Sequence, residues 1–261
     1  MIIFLIKLIA APLLLALATL AARRWGTVLG GILIGLPLIS GPISVFLAIE
    51  NGAGFAVETA RGALAGTVAL AVFTCVYTAV CPKGWLKASF LSVALYVLAS
   101  WIAAELPISA VTLAFFAGIL LIGVIDRLVP SFENPHEAHM VEEMDKQPRN
   151  PKLMRMGMMM VLMIAITFLA PYIGPTASGI ASTFPYMALT MAVFSQIQGG
   201  PDNARRAMHG LMLGMYSGLV FNLVVWALAA EDRLLIAYAA AIAAALAAQG
   251  VVLALTLKKT A

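Results

Sequence analysis

Long blocks of uncharged, apolar residues follow one another along most of this chain, separated by short connections that hold most of its charge. A block of about 18 or more such residues is long enough for an α-helix to cross a bilayer. Of the 261 residues, 62% are hydrophobic and only 11% are charged, whereas soluble domains average about half apolar and about a quarter charged. So little charge could not cover a water-facing surface, and the pattern predicts an all-α integral membrane protein.

Nine blocks are long enough to span a membrane. The long polar segment 131–152 is rich in charge and predicts a cytoplasmic linker between a first repeat, 1–130, and a second repeat, 153–261. Arg23 and Arg24 follow the first block, the reverse of the order in a signal peptide, so we expect that block to remain as a structural helix. The predicted spans are 2–22, 27–49, 55–80, 86–104, 108–129, 153–170, 175–198, 207–229 and 234–257.

Lysine and arginine lie on alternate connections between these blocks, which indicates that those connections share one side of the membrane. Cytoplasmic connections are enriched in both residues, so we expect the N-terminus outside and the C-terminus inside, in a bacterial inner membrane. The net charge of +4 forms no basic stripe with interleaved aromatics, so a nucleic-acid partner is not expected.

An internal repeat is the most informative feature of the chain. Segment 26–79 matches segment 174–227 without a gap, so that Pro37 falls on Pro185, Gly52 on Gly200 and Phe73 on Phe221, all at one constant offset. The first repeat then has five spans and the second has four. Because five is odd, the second repeat must lie upside down relative to the first, and the charge placement agrees. The sequence therefore predicts a five-plus-four inverted-topology repeat.

Inverted repeats of this kind are typical of secondary transporters that work by alternating access. We expect a carrier for a small, anionic or amphipathic metabolite, coupled to a proton or a sodium ion. A lipid or lipid-linked substrate and a non-transporting scaffold or assembly subunit remain alternatives, and a homodimer is left open. No convergent catalytic set is present in the sequence, so an enzyme is not expected.

The substrate site is predicted where matched spans are interrupted by glycine or proline, because the freed backbone groups then face a cavity. Pro37 and Pro185 mark the two matched interruptions. For the matched glycine pairs Gly62/Gly66 and Gly210/Gly214, close helix packing is the favoured role. The predicted binding residues are Gly35, Pro37, Ser40, Gly41, Pro42, Thr183, Pro185, Tyr186, Thr190 and Asn222.

Charged and polar residues near the ends of spans are predicted to act as gates, with interfacial snorkelling as the alternative. Glu58 and Arg61 are spaced to pair on one helix face, and the repeat maps them onto Arg206 and His209. The predicted gating residues are Glu50, Glu58, Arg61, Gln198, Arg206 and His209.

No cofactor and no metal site are predicted. His136 and His139 are three apart, one short of the spacing of a zinc-protease helix. The methionines of the sixth block are interpreted as apolar filler rather than copper ligands. Cys75 and Cys81 are six apart, point in different directions on a helix, and are interpreted as small buried hydrophobes.

Overall fold

The computed structural model describes residues 40–113, 115–116, 161, 169, 172–230 and 233–260, and every regular element in these ranges is helical. A 3₁₀ turn, Cys81–Lys83, follows the second helix, and residues 108–113 are also helical. The main helices are α1 (Ser40–Asn51), α2 (Ala53–Val80), α3 (Trp85–Glu105), α4 (Pro175–Ser182), α5 (Tyr186–Leu228) and α6 (Leu234–Thr260).

Four helical segments in the described ranges are long and apolar enough to cross a membrane: Ala53–Lys83, Trp85–Glu105, Gly199–Leu228 and Leu234–Ala254. They coincide with four of the nine predicted spans, whereas 1–39 and most of 117–171 lie outside the described residues. Large apolar side chains on α3 and α6 point away from the protein; Phe90 is 79% exposed and Leu235 is 82% exposed. Such surfaces are stable against lipid rather than water.

Two glycines interrupt the helices at matched positions of the repeat. Gly52, between α1 and α2, has φ 86° and ψ 177°, and Gly200, within α5, has φ 78° and ψ −176°. This left-handed region is accessible to glycine at little cost and strained for other residues. The helices that follow end at Val80 and Leu228, which are again matched positions. The predicted register therefore recurs in the backbone of the described halves.

The two matched helices run antiparallel. Near the end of α2, the Thr78 carbonyl accepts a hydrogen bond from Arg205, close to the start of the second part of α5. Near the beginning of α2, Ala60 belongs to one core cluster with Phe221, close to the end of α5. The same cluster includes Tyr238 of α6.

Small residues allow α2 and α4 to approach at backbone distance. A Cβ atom on Gly62 would collide with the Thr176 carbonyl, and one on Gly179 would collide with the Thr59 carbonyl. The packing role predicted for Gly62 is confirmed. At Gly210, the matched position, a Cβ would meet nothing within 4 Å among the described residues, so the packing role of the Gly210/Gly214 pair stays a prediction.

Candidate functional site

The seventh predicted span is broken in the middle of the bundle. α4 ends at Ser182 and α5 begins at Tyr186, leaving Thr183 to Pro185 outside the helices. Pro185 has no N–H to continue the helical ladder, so the interruption expected there is present. The carbonyls that end α4 and the N–H groups that begin α5 lack the partners of a continuous helix.

Contact with α2 gives the depth of this break. A Cβ atom on Gly66 would collide with the Thr183 hydroxyl, so the two residues are in direct contact. Gly66 lies at the midpoint of α2, which begins at Ala53 and ends at Val80. The break is therefore level with the middle of a membrane-spanning helix.

A buried tyrosine from α3 anchors the break. The Tyr96 hydroxyl donates a hydrogen bond to the Ile180 carbonyl (2.9 Å) and lies 3.1 Å from the Thr183 hydroxyl oxygen. Its ring packs edge-on against Phe184 at a centroid distance of 5.6 Å. The sequence analysis did not identify Tyr96. The general rule that a buried tyrosine hydroxyl needs a hydrogen-bond partner was the one indication that could have pointed to it.

Tyr96→Phe is expected to lower the free energy of unfolding by only about 1 kcal/mol, the net value of one hydrogen bond. The ring contact with Phe184 is kept, and the Ile180 carbonyl still accepts from Thr183 at 2.8 Å. Thermal unfolding in detergent measures the change, with Tyr216→Phe as a control because that ring lies at a partly exposed position on α5. A loss of several kcal/mol in Tyr96→Phe would mean that the hydroxyl holds the break together by itself.

The other predicted binding residues fall in different places. Gly41 is buried in α1, and Asn222 is buried in α5 with 1% exposure. Gly35 and Pro37 lie outside the described residues. Only the helical backbone is described for Ser40, Pro42, Tyr186 and Thr190.

The predicted charged residues lie at opposite ends of the antiparallel pair α2 and α5. Glu58 and Arg61 approach to 3.9 Å, so the predicted pairing is confirmed, and Arg61 also donates to the Ala104 carbonyl. Both side chains are more than a third exposed, and such pairs contribute about 0–1 kcal/mol. At the other end, Arg206 donates to Asn203 (2.9 Å). Glu50 and His209 are exposed. For Gln198, only the helical backbone is described.

A polar network that the sequence did not predict joins the end of α2 to α5. Gln196 donates to the Cys81 carbonyl (2.6 Å) and accepts from the Tyr77 hydroxyl (2.9 Å). Arg205 donates to Thr78 and pairs with Asp202 at 3.0 Å. Gln196 and Arg205 thereby partner backbone carbonyls at the end of α2, where such groups lack helical partners. We call this set the α2-end network.

The residues that the repeat matches to Tyr77, Cys81 and Gln196 of this network are apolar. The repeat places Val225 at the position of Tyr77, Ala229 at that of Cys81 and Ala48 at that of Gln196. Ala48 and Val225 lie in an apolar core cluster, with Ala229 packed against it. The end of the bundle that holds Ala48 and Val225 therefore packs mainly through apolar contacts, together with one buried hydrogen bond between the Ser44 and Tyr238 hydroxyls (2.7 Å) and the partly exposed pair Glu58–Arg61.

Both cysteines, Cys75 and Cys81, are buried thiols that form no disulfide, as interpreted from the sequence. Within the described ranges, no three His, Cys, Asp or Glu side chains come together in a group that could hold a metal ion. The oxygens around the break come from hydroxyls and backbone carbonyls, which are uncharged.

Comparisons with known proteins return short matches to bacterial zinc transporters. The chain is 59% identical over 54 residues to the zinc transporter ZupT of Streptococcus mutans, covering 21% of this chain and 20% of the relative. It is 54% identical over 57 residues to ZupT of Oceanobacillus iheyensis, 21% of each chain. For ZupT of Chlorobium chlorochromatii the identity is 45% over 67 residues, 25% of each chain.

These matches span about a fifth to a quarter of the length of the curated relatives. No family model matches the chain, and no solved structure matches it significantly. Together with the four apolar helices, the matches indicate a multi-pass membrane protein.

Proposed function

We propose that this chain is a membrane transporter whose substrate is a divalent metal ion of the zinc class. The observation that carries the transport function is the helix break at Thr183–Pro185, level with the middle of α2. Interrupted helices at mid-membrane depth are where secondary transporters bind their substrates. The three relatives described above are zinc transporters, which supports the choice of ion.

This substrate replaces the anionic or amphipathic metabolite expected from the sequence, and also the lipid alternative. Arg61 and Arg206 near the ends of spans had suggested an anion, but both have described partners within the protein: Arg61 pairs with Glu58, and Arg206 donates to Asn203. Zinc is bound by Cys, His, Asp or Glu side chains. Because no such group of three is found among the described residues, the proposal requires that a full protein ligand set draw on the rest of the chain.

Alternating access between inverted repeats in the inner membrane remains the proposed mechanism. It is supported by the antiparallel course of α2 and the second part of α5 and by the shared conformation of Gly52 and Gly200. Gating by the Glu58–Arg61 pair and by Arg206 and His209 is part of the same proposal. The α2-end network supplies a further closing contact at one end.

Zinc uptake into proteoliposomes, read with an enclosed zinc-sensitive dye, tests the proposal. We expect uptake by the unaltered chain and a loss of about tenfold or more in Pro185→Leu, the factor that corresponds to roughly 1.4 kcal/mol. Leucine permits α4 and α5 to continue as one helix and so removes the break. Pro37→Leu, at the matched position, should behave similarly.

Pro82→Ala is the control, because Pro82 is an exposed residue of the 3₁₀ turn and its replacement should leave uptake unchanged. Size-exclusion profiles establish that each variant is folded. Uptake of an organic anion such as citrate with no uptake of zinc would contradict the ion, and uptake of neither would contradict transport.

A further inference from the structure

The beginning of α3 carries an exposed surface that is both basic and apolar. Every residue from Pro82 to Lys87 is exposed, and this stretch includes Lys83, Trp85 and Leu86. Among the described residues, neither lysine has a carboxylate partner. Two ammonium groups are therefore available to a ligand beside two large apolar side chains.

The length of α3 places this surface at the depth of lipid headgroups. Between Lys87 and Glu105, which are 18 residues apart, no residue is charged, and every exposed residue is apolar. Eighteen residues of helix rise about 27 Å, close to the roughly 30 Å of a bilayer's hydrocarbon core. Lys87 and Glu105 thus mark the two edges of that core, and Trp85 and Trp101 lie near them, where tryptophan is enriched in membrane proteins.

The face of α3 that holds Lys87 continues into the lipid-facing surface. Phe90 and Leu91 follow Lys87 by three and four residues, a spacing that makes side chains neighbours on a helix, and both are exposed. A ligand that binds Lys87 through a negative group can therefore lay an apolar chain along this face. A soluble anion has no apolar part to bury there, whereas a phospholipid has both parts.

The charge around this end of the bundle also favours a negative ligand. Arg205 and Arg206 lie at the same end, since Arg205 donates to Thr78 near the end of α2. Asp202 pairs with Arg205, so Arg206 and the two lysines leave this end positive among the described residues. At the opposite end, the repeat matches Lys87 to Leu235, an exposed leucine that offers no charge.

We propose that Lys83 and Lys87 bind the phosphate of an anionic phospholipid whose acyl chains lie along Phe90 and Leu91. Basic residues at the ends of membrane helices bind such headgroups through charge. This α3 lipid site is distinct from the break at Thr183–Pro185, and it requires no assumption about the transported substrate.

Thermal unfolding of the purified chain in detergent, with phosphatidylglycerol or phosphatidylcholine of the same acyl chains added at equal mole fraction, tests the site. Phosphatidylglycerol carries a net negative charge and phosphatidylcholine carries none. At roughly ten times the Kd of phosphatidylglycerol, we expect a melting temperature about 3 °C above that in phosphatidylcholine. Replacing both lysines, Lys83→Gln with Lys87→Gln, should weaken binding about thirtyfold, a factor of about five for each lysine, and leave less than about 1 °C of the shift.

Two control variants separate charge at this site from charge in general. Lys83→Arg with Lys87→Arg keeps both positive charges and should keep the shift. Arg233→Gln removes an exposed positive charge at the position that the repeat matches to Trp85, at the opposite end of the bundle, and should also keep it. Native mass spectrometry gives a readout independent of stability: the unaltered chain should retain more phosphatidylglycerol than phosphatidylcholine, and the double glutamine variant should retain the two equally.

Equal melting temperatures in the two lipids, or a shift that survives in the double glutamine variant, would overturn the site. An equal shift with glycerol phosphate, which has the phosphate but no acyl chains, would overturn the lipid and assign the lysines to a soluble anion. Neither measurement involves uptake. A negative result here therefore leaves the zinc-uptake test unaffected, and failure of zinc uptake leaves the lipid measurement intact.

Discussion

Gly62→Ala should destabilise the protein by about 3 kcal/mol, at the upper end of the usual cost of overpacking a core. The added methyl would collide with the backbone carbonyl of Thr176 on α4, and a backbone atom cannot move aside as a flexible side chain can. Since α4 leads directly into the break at Thr183–Pro185, its displacement should also disturb the candidate site. Thermal unfolding in detergent should show a melting temperature lower by about 6–12 °C.

The repeat supplies a matched control for this variant. Gly210 is the counterpart of Gly62, but a Cβ atom there meets nothing within 4 Å in the part of the chain that the structure describes. Gly210→Ala should therefore be neutral or stabilising by about 0.5–1 kcal/mol, because alanine favours helix more than glycine does. Equal melting temperatures for the two variants would contradict the close contact of α2 with α4.

Gln196→Leu should expose Cys81 to a membrane-impermeant maleimide and raise its labelling rate by about ten- to a hundredfold. Leucine removes both hydrogen bonds of Gln196 in the α2-end network. Each of these buried hydrogen bonds stabilises the closed state by about 1–1.5 kcal/mol. Losing both should therefore raise the fraction of molecules that are open at this end by about ten- to a hundredfold. Cys81 is fully buried in the described structure, so its thiol reports opening at this end of the bundle directly.

The experiment is performed in a Cys75→Ala background so that Cys81 is the only thiol. Gln249→Leu serves as the control, because Gln249 is buried on α6 and neither of its amide atoms has a partner in the described structure. Its labelling should match that of the background chain. If Gln196→Leu labels no faster than Gln249→Leu, the network does not hold that end closed.

Several features of the fold could be predicted because they depend on the chain alone. The ends of α2, α3 and α6 agree with the predicted spans within a few residues, since an uninterrupted apolar block must satisfy its backbone within one helix. The interruption at Pro185 was predictable because proline lacks the N–H that continues a helix. The equivalence of Gly52 and Gly200 followed from the repeat, and both have the same left-handed conformation.

The partners of individual side chains could not be predicted in the same way. A membrane helix is apolar on all sides, so periodicity does not indicate which side faces a neighbouring helix and which faces lipid. Gly62 and Gly210 match in sequence, yet a Cβ on Gly62 meets a backbone carbonyl, whereas a Cβ on Gly210 meets nothing within 4 Å among the described residues. Tyr96 and Gln196 likewise gained significance only through their contacts with the break and with the end of α2.

The sequence by itself thus determined the membrane class, the register of the repeat and the position of the break at Pro185, because each depends on local backbone chemistry or on hydrophobic length. Only the tertiary structure decided that this break meets α2 at its middle and that Gln196 and Arg205 bind backbone carbonyls at the end of α2. Those features depend on how the helices rotate and pack against one another. The sequence does not specify this packing, because each membrane helix is nearly uniformly apolar around its surface.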